Sequence, residues 1–90
     1  METQVIKRDG VIAQLDNNRI YLAIQKAATA ASQTIENIED LVSKIISKFE
    51  GKEQVTVEDI QSAVEHTLLV SKYKDTAKKY IEYRHKRDLA

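Results

Sequence analysis

Apolar positions along the chain fall into blocks of two different periods. Residues 4–15 alternate around Asp9-Gly10, which reads as a β-hairpin. A two-residue Asp-Gly turn would set Arg8 against Val11, Lys7 against Ile12 and Ile6 against Ala13. From Ile20 the period changes to that of a helix. Ile20, Ala23, Ile24, Ala27, Ala28 and Ala31 form one stripe, with Asp16 as its N-cap. A second and more apolar stripe comprises Ile35, Ile38, Leu41, Val42, Ile45, Ile46 and Phe49, with Thr34 in capping position and Gly51 beyond its end. Gln54-Val55 is a short extended piece able to add a third strand. Thr56-Val57-Glu58-Asp59 then reads as a capping box for a third helix carrying Val57, Ile60, Ala63, Val64, Thr67 and Leu68. Tyr73, Thr76, Ala77, Tyr80, Ile81 and Arg84 share one side of a fourth. The expected elements are a hairpin at 4–15 and helices at about 17–31, 35–49, 57–70 and 73–88. Together they predict one α+β domain over residues 1–90, a four-helix bundle capped by a small two- to three-stranded sheet.

Composition narrows the function classes. The 90 residues carry zero formal net charge, which argues against a broad nucleic-acid surface while leaving room for a local cationic pocket. With no cysteine there is no disulfide, thiolate metal site or thiol nucleophile. No apolar run approaches the ~18 residues of a membrane span or the core of a signal sequence, so a cytoplasmic protein is expected. His66 and His85 lie on different predicted helices without a carboxylate pair at ligand spacing, so no metal and no catalytic residue is expected. The Ser and Thr residues cluster where helices start, which capping explains. There is no Walker-type glycine loop and no dinucleotide fingerprint, so a hydrolysing nucleotide enzyme lacks support.

The cations say more. Lys7 and Arg8 on the hairpin and Arg19 in the first turn of the first helix would make a polyphosphate site beside a helix N-terminus, or else stand as solvated charges. Arg84, Lys86 and Arg87 fall near the end of the last helix, where the helix dipole alone would favour them. Neighbouring strand residues point to opposite faces, so Lys7 and Arg8 are expected to contribute unequally to any one ligand.

Several segments taken in order resemble a known family. Val5-Ile6-Lys7-Arg8-Asp9-Gly10, then Leu15-Asp16 with Arg19-Ile20, is similar to the opening of the ATP-cone, the regulatory nucleotide-binding domain of ribonucleotide reductases. The match continues through 23–27, through Val57-Glu58-Asp59-Ile60-Gln61 with Val64-Glu65, and through 77–87. The run from Tyr80 to Asp88 is most similar to the N-terminal cone of anaerobic (class III) ribonucleoside-triphosphate reductases.

The resemblance implies a bundle roofed by a three-stranded sheet, with ATP or dATP, accompanied by Mg2+, bound between them as an allosteric ligand. It implies that Lys7, Arg8 and Arg19 contact the phosphates or border the pocket. The segment Ala13 to Ile20, with Asp16 and Asn18, would run along the nucleotide, and Val5 and Ile20 would lie near the base. Val57 and Gln61 would approach the sugar or phosphates, and a C-terminal cation would complete the clamp: Lys86 by alignment, with Arg84 or Arg87 as alternatives. Ala13 and Gln61 stand where some relatives carry glutamate and histidine.

Expected partners are the catalytic domain or subunit of a reductase, with nucleotide-dependent self-association and no membrane or nucleic acid. Lacking the cysteines of a reductase or of a zinc ribbon, the chain is expected to be an isolated cone without catalytic residues or zinc. Its end among the helix-compatible residues 87–90 favours a domain boundary. The competing reading is a free-standing nucleotide sensor or a protein-interaction helical module.

Overall fold

The structure is a computed structural model that describes residues 3–7 and 9–89, with the side chains of 87–89 outside the description. Three short strands, β1 (Gln4–Ile6), β2 (Ile12–Gln14) and β3 (Gln54–Thr56), form a sheet in the order β2-β1-β3. Strand β2 pairs antiparallel to β1 and β3 pairs parallel to it. The helices are α1 (Asn17–Ala30), α2 (Ile38–Ser47), α3 (Val57–Leu69) and α4 (Lys74–Leu89). This is the α+β architecture that the patterning predicts, with the third strand present.

The hairpin register differs by one residue from that of a two-residue Asp-Gly turn. Val5 faces Ala13 and Ile6 faces Ile12. Lys7 and Val11 close the ladder, the Lys7 N–H donating to the Val11 carbonyl at 2.9 Å. Gly10 takes a positive φ of +85°, and its N–H donates to the Lys7 carbonyl at 2.9 Å. That is a three-residue connection with its glycine in the left-handed region, not the mirror-image turn that needs positive φ at both central positions. The Asp9 carboxylate is occupied in accepting from the Val11 N–H at 3.0 Å. A one-residue slip reverses the facing of a whole strand. In the observed register Ala13 shares the inner face with Val5, and Ile12 lies outside, 54% exposed.

Helix α2 begins later than its apolar stripe suggests. Asn37, not Thr34, is the N-cap, accepting from the Asp40 N–H at 3.2 Å, with Glu39 and Asp40 favouring the positive end of the helix. Ile35 and Phe49 therefore flank the helix rather than belong to it, yet both are buried. Gly51 (φ +80°) lies beyond the turns that follow the helix and precedes β3. Helix α3 starts as expected: Thr56 accepts from the Asp59 N–H at 3.1 Å and Asp59 accepts from the Thr56 N–H at 3.0 Å.

The end of α1 is an unusual one. The Gln33 N–H donates to the Ala28 carbonyl and the Ser32 N–H to that of Thr29, which is a Schellman motif. The residue in the left-handed position is Ser32 (φ +54°) rather than glycine. The turn aims Gln33 at the start of α4, where its Oε1 accepts from both the N–H and the hydroxyl of Thr76, at 2.9 and 2.7 Å. Thr76 is fully buried. A first-turn amide and a hydroxyl that burial would otherwise strand are thus satisfied by another helix.

The core runs the length of the bundle through Ile24, Ile45, Val64 and Leu68, all essentially without solvent contact. Each such side chain contributes about 1.5–3 kcal/mol on burial. Val5 and Val55 join it from the inner face of the sheet. A three-stranded patch this short is not stable alone, and the bundle gives it a surface to lie on.

Candidate functional site

Where the inner face of the sheet meets α1, α3 and α4, the packing leaves a cleft of about 650 Å³. The strands bring Val5 and Ala13 to it, with Lys7 just beyond β1, and the N-cap and first turn of α1 bring Asp16, Arg19 and Ile20. Helix α3 brings Val57 and, one turn on, Gln61, which is buried. These site residues, predicted from four separated segments, line one space. Two carboxylates, Asp9 and Asp16, stand in the same cleft as the cations Lys7 and Arg19, so among the described residues its formal charges balance. The Asp16 carboxylate also caps α1, accepting from the Asn18 N–H at 2.9 Å.

Other predicted residues are placed elsewhere. Asn18 is exposed in the first turn of α1 and does not line the cleft. Lys86 lines a neighbouring groove of about 560 Å³ between α1 and α4, together with Lys26, Lys79 and Tyr83. Arg19, Ala23 and Tyr80 line both the cleft and the groove. Arg84 lines neither; its Nη1 donates to Glu65 Oε2 at 2.8 Å, across the α3–α4 interface. Arg8 lies outside the described residues, as does the side chain of Arg87.

The cleft also contains residues that the patterning assigns only to packing. Ala23, Ile60, Val64 and Tyr80 form its apolar wall. Their signal was in the sequence, since Val64 stands three residues beyond Gln61 and Ala23 three beyond Ile20, on the same helix faces. What the stripe alone does not reveal is that these residues border a cleft beneath the sheet as well as the core. The α3 N-terminus at this site is held by Asp59, whose carboxyl lies below the ordinary aspartate range, chiefly because it accepts from the Thr56 N–H and hydroxyl. Among the described residues no group of three or more His, Asp or Glu side chains could hold a metal ion, and no helix is long and apolar enough to cross a membrane. A magnesium ion at this site would therefore depend on ligand oxygens for most of its coordination.

Fold and cleft together define a small α+β domain in which a sheet roofs a helical bundle and a polar–apolar cleft opens at their junction. Residues 3–89 match the ATP cone domain, and the chain belongs to that family. It is 40% identical over 90 residues to the anaerobic ribonucleoside-triphosphate reductase of Escherichia coli, covering 99% of this chain and 13% of that protein. It is 39% identical over 93 residues to the vitamin B12-dependent ribonucleoside-diphosphate reductase of Thermoplasma acidophilum, covering 97% of this chain and 12% of that one. With the alpha subunit of the Chlamydia pneumoniae ribonucleoside-diphosphate reductase it shares 36% over 94 residues, covering 92% and 9%. The chain thus spans about an eighth or less of the length of these relatives.

Proposed function

We propose that this domain binds ATP or dATP in the cleft beneath the sheet and acts as an allosteric regulatory module of a ribonucleotide reductase. The observation that carries the reading is the convergence of Val5, Lys7, Ala13, Asp16, Arg19, Ile20, Val57 and Gln61 on one cleft. In this reading Lys7 and Arg19 hold phosphates, Val5 and Ile20 lie against the base, and Val57 and Gln61 approach the sugar or phosphates. Lys86 serves as the C-terminal cation by reaching across from its groove; Arg84, engaged by Glu65, is the poorer candidate for that role. The domain supplies no catalysis of its own. Its output is a change in contact with the catalytic part of the reductase or with a second copy of itself.

The carboxylates that offset Lys7 and Arg19 in the cleft favour a metal–nucleotide over a bare nucleotide as the ligand. Two cations offset by two carboxylates, even with Lys86 added, leave most of a triphosphate's charge unneutralised, and Mg2+ bound to phosphate oxygens would reduce it. Calorimetric titration with ATP, dATP and GTP, each with and without Mg2+, tests both statements. Binding of the adenine nucleotides that is strengthened by Mg2+ is expected. Heat from none of them, or equal heat from all, contradicts the reading.

A further inference from the structure

Glu65 and Arg84 lie just behind the cleft rather than in it. Glu65 stands one turn beyond Gln61 on α3, and Arg84 one turn beyond Tyr80 on α4, and both Gln61 and Tyr80 line the cleft. The pair closes across the two helices at 2.8 Å, with side chains only 28% and 21% exposed. A fully exposed pair contributes little, because water screens it and two long side chains must be ordered. With much of the solvent removed the attraction is stronger, and losing one partner leaves a half-buried charge unpaired. Packed helices shift past each other by an ångström or two at interfaces that switch. A polar tie one turn behind the wall is placed to fix that register.

We propose that the Glu65–Arg84 ion pair is the positioning device of the cleft. It holds α3 against α4 so that Gln61 and Tyr80 present a single wall, and it sets nucleotide affinity without Arg84 touching the ligand. This rests on the nucleotide reading of the cleft.

The test compares Glu65→Gln, Arg84→Gln and the reversed double variant Glu65→Arg/Arg84→Glu with the unaltered chain, all well below their unfolding temperatures. Two readouts are taken: ATP affinity, and the side-chain amide resonance of Gln61 without ligand. Each single variant is expected to weaken binding roughly 3- to 30-fold and to shift the Gln61 amide, and the double to recover both. Unchanged affinity in the singles, despite a lowered Tm, overturns the proposal by making the pair merely structural. Tighter binding in Glu65→Gln, or a double that stays weak, overturns it too, since either points to direct phosphate contact by Arg84. If the unaltered chain binds neither ATP nor dATP, the nucleotide reading fails separately. The Gln61 resonance then decides: a shift in the singles that returns in the double upholds the positioning role, and no shift ends it.

Discussion

Lys7 keeps its face in either register, and the one-residue difference decides what lies opposite it. In the observed pairing it closes the ladder opposite Val11, on the same face as Val5 and Ala13, and it lines the cleft with them. The slipped register of a two-residue turn would place Ala13 on the outer face with Ile6 and separate it from the cleft. Asp-Gly was a sound hairpin signal, but it did not say how many residues the turn would take; Asp9 settles that by spending its carboxylate on the Val11 N–H. For the ligand proposed here, Lys7→Ala or Arg19→Ala is expected to weaken adenine-nucleotide binding by about 1.5–3 kcal/mol, the worth of a charge-assisted hydrogen bond. Titration of the two variants checks this, and unchanged affinity in both removes them from the phosphate site. Ser32 carries a different kind of cost. A left-handed φ of +54° on a residue with a Cβ is strained. Ser32→Gly is expected to raise stability by roughly 0.5–1 kcal/mol, read from the denaturant midpoint, and a loss of stability would show that the serine side chain does something else there.

At the scale of elements, the helix faces were legible because burial is periodic. Ile20, Ile24, Ala27 and Ala28 on α1, and Ala63, Val64, Thr67 and Leu68 on α3, are the buried positions that the stripes mark. Helix α2 shows the limit. Its apolar run extends from Ile35 to Phe49, but burial continues past both helix ends because the flanking turns also pack on the core. Ties between elements were not legible, since neither Gln33 with Thr76 nor Glu65 with Arg84 follows a spacing along the chain. The capping box of α3 was, and it makes a pH prediction. The Asp59 pKa is lowered in the folded chain, so its contribution is present at neutral pH and is lost as pH falls through that lowered value, below about pH 4. Asp59→Asn should therefore be less stable than the unaltered chain at pH 7, with the gap closing as the pH falls below the ordinary aspartate range. Urea unfolding across that range checks the sign; a gap that stays constant means that the charge on Asp59 does not matter.

For the whole molecule, the fold class followed from counting elements, whereas the site did not. Its residues come from a strand, a hairpin's return, a helix start and a third helix, and only the resemblance to a family tied those segments to one ligand before the cleft brought them together. The bundle gives the small sheet a support, and the sheet gives the bundle a roof under which a ligand can be shared between otherwise separate elements. A ligand gripped from four elements at once should resist their separation, so binding and stability are linked. The most direct measurement is thermal unfolding of the domain alone, with ATP, with dATP and with GTP. At about 100 times its dissociation constant a ligand of the folded state contributes ~2.7 kcal/mol, which for a domain of this size raises Tm by roughly 10–20 °C. That rise is expected with ATP or dATP, and a smaller one with GTP. An unfolding temperature that neither adenine nucleotide moves would contradict the nucleotide reading.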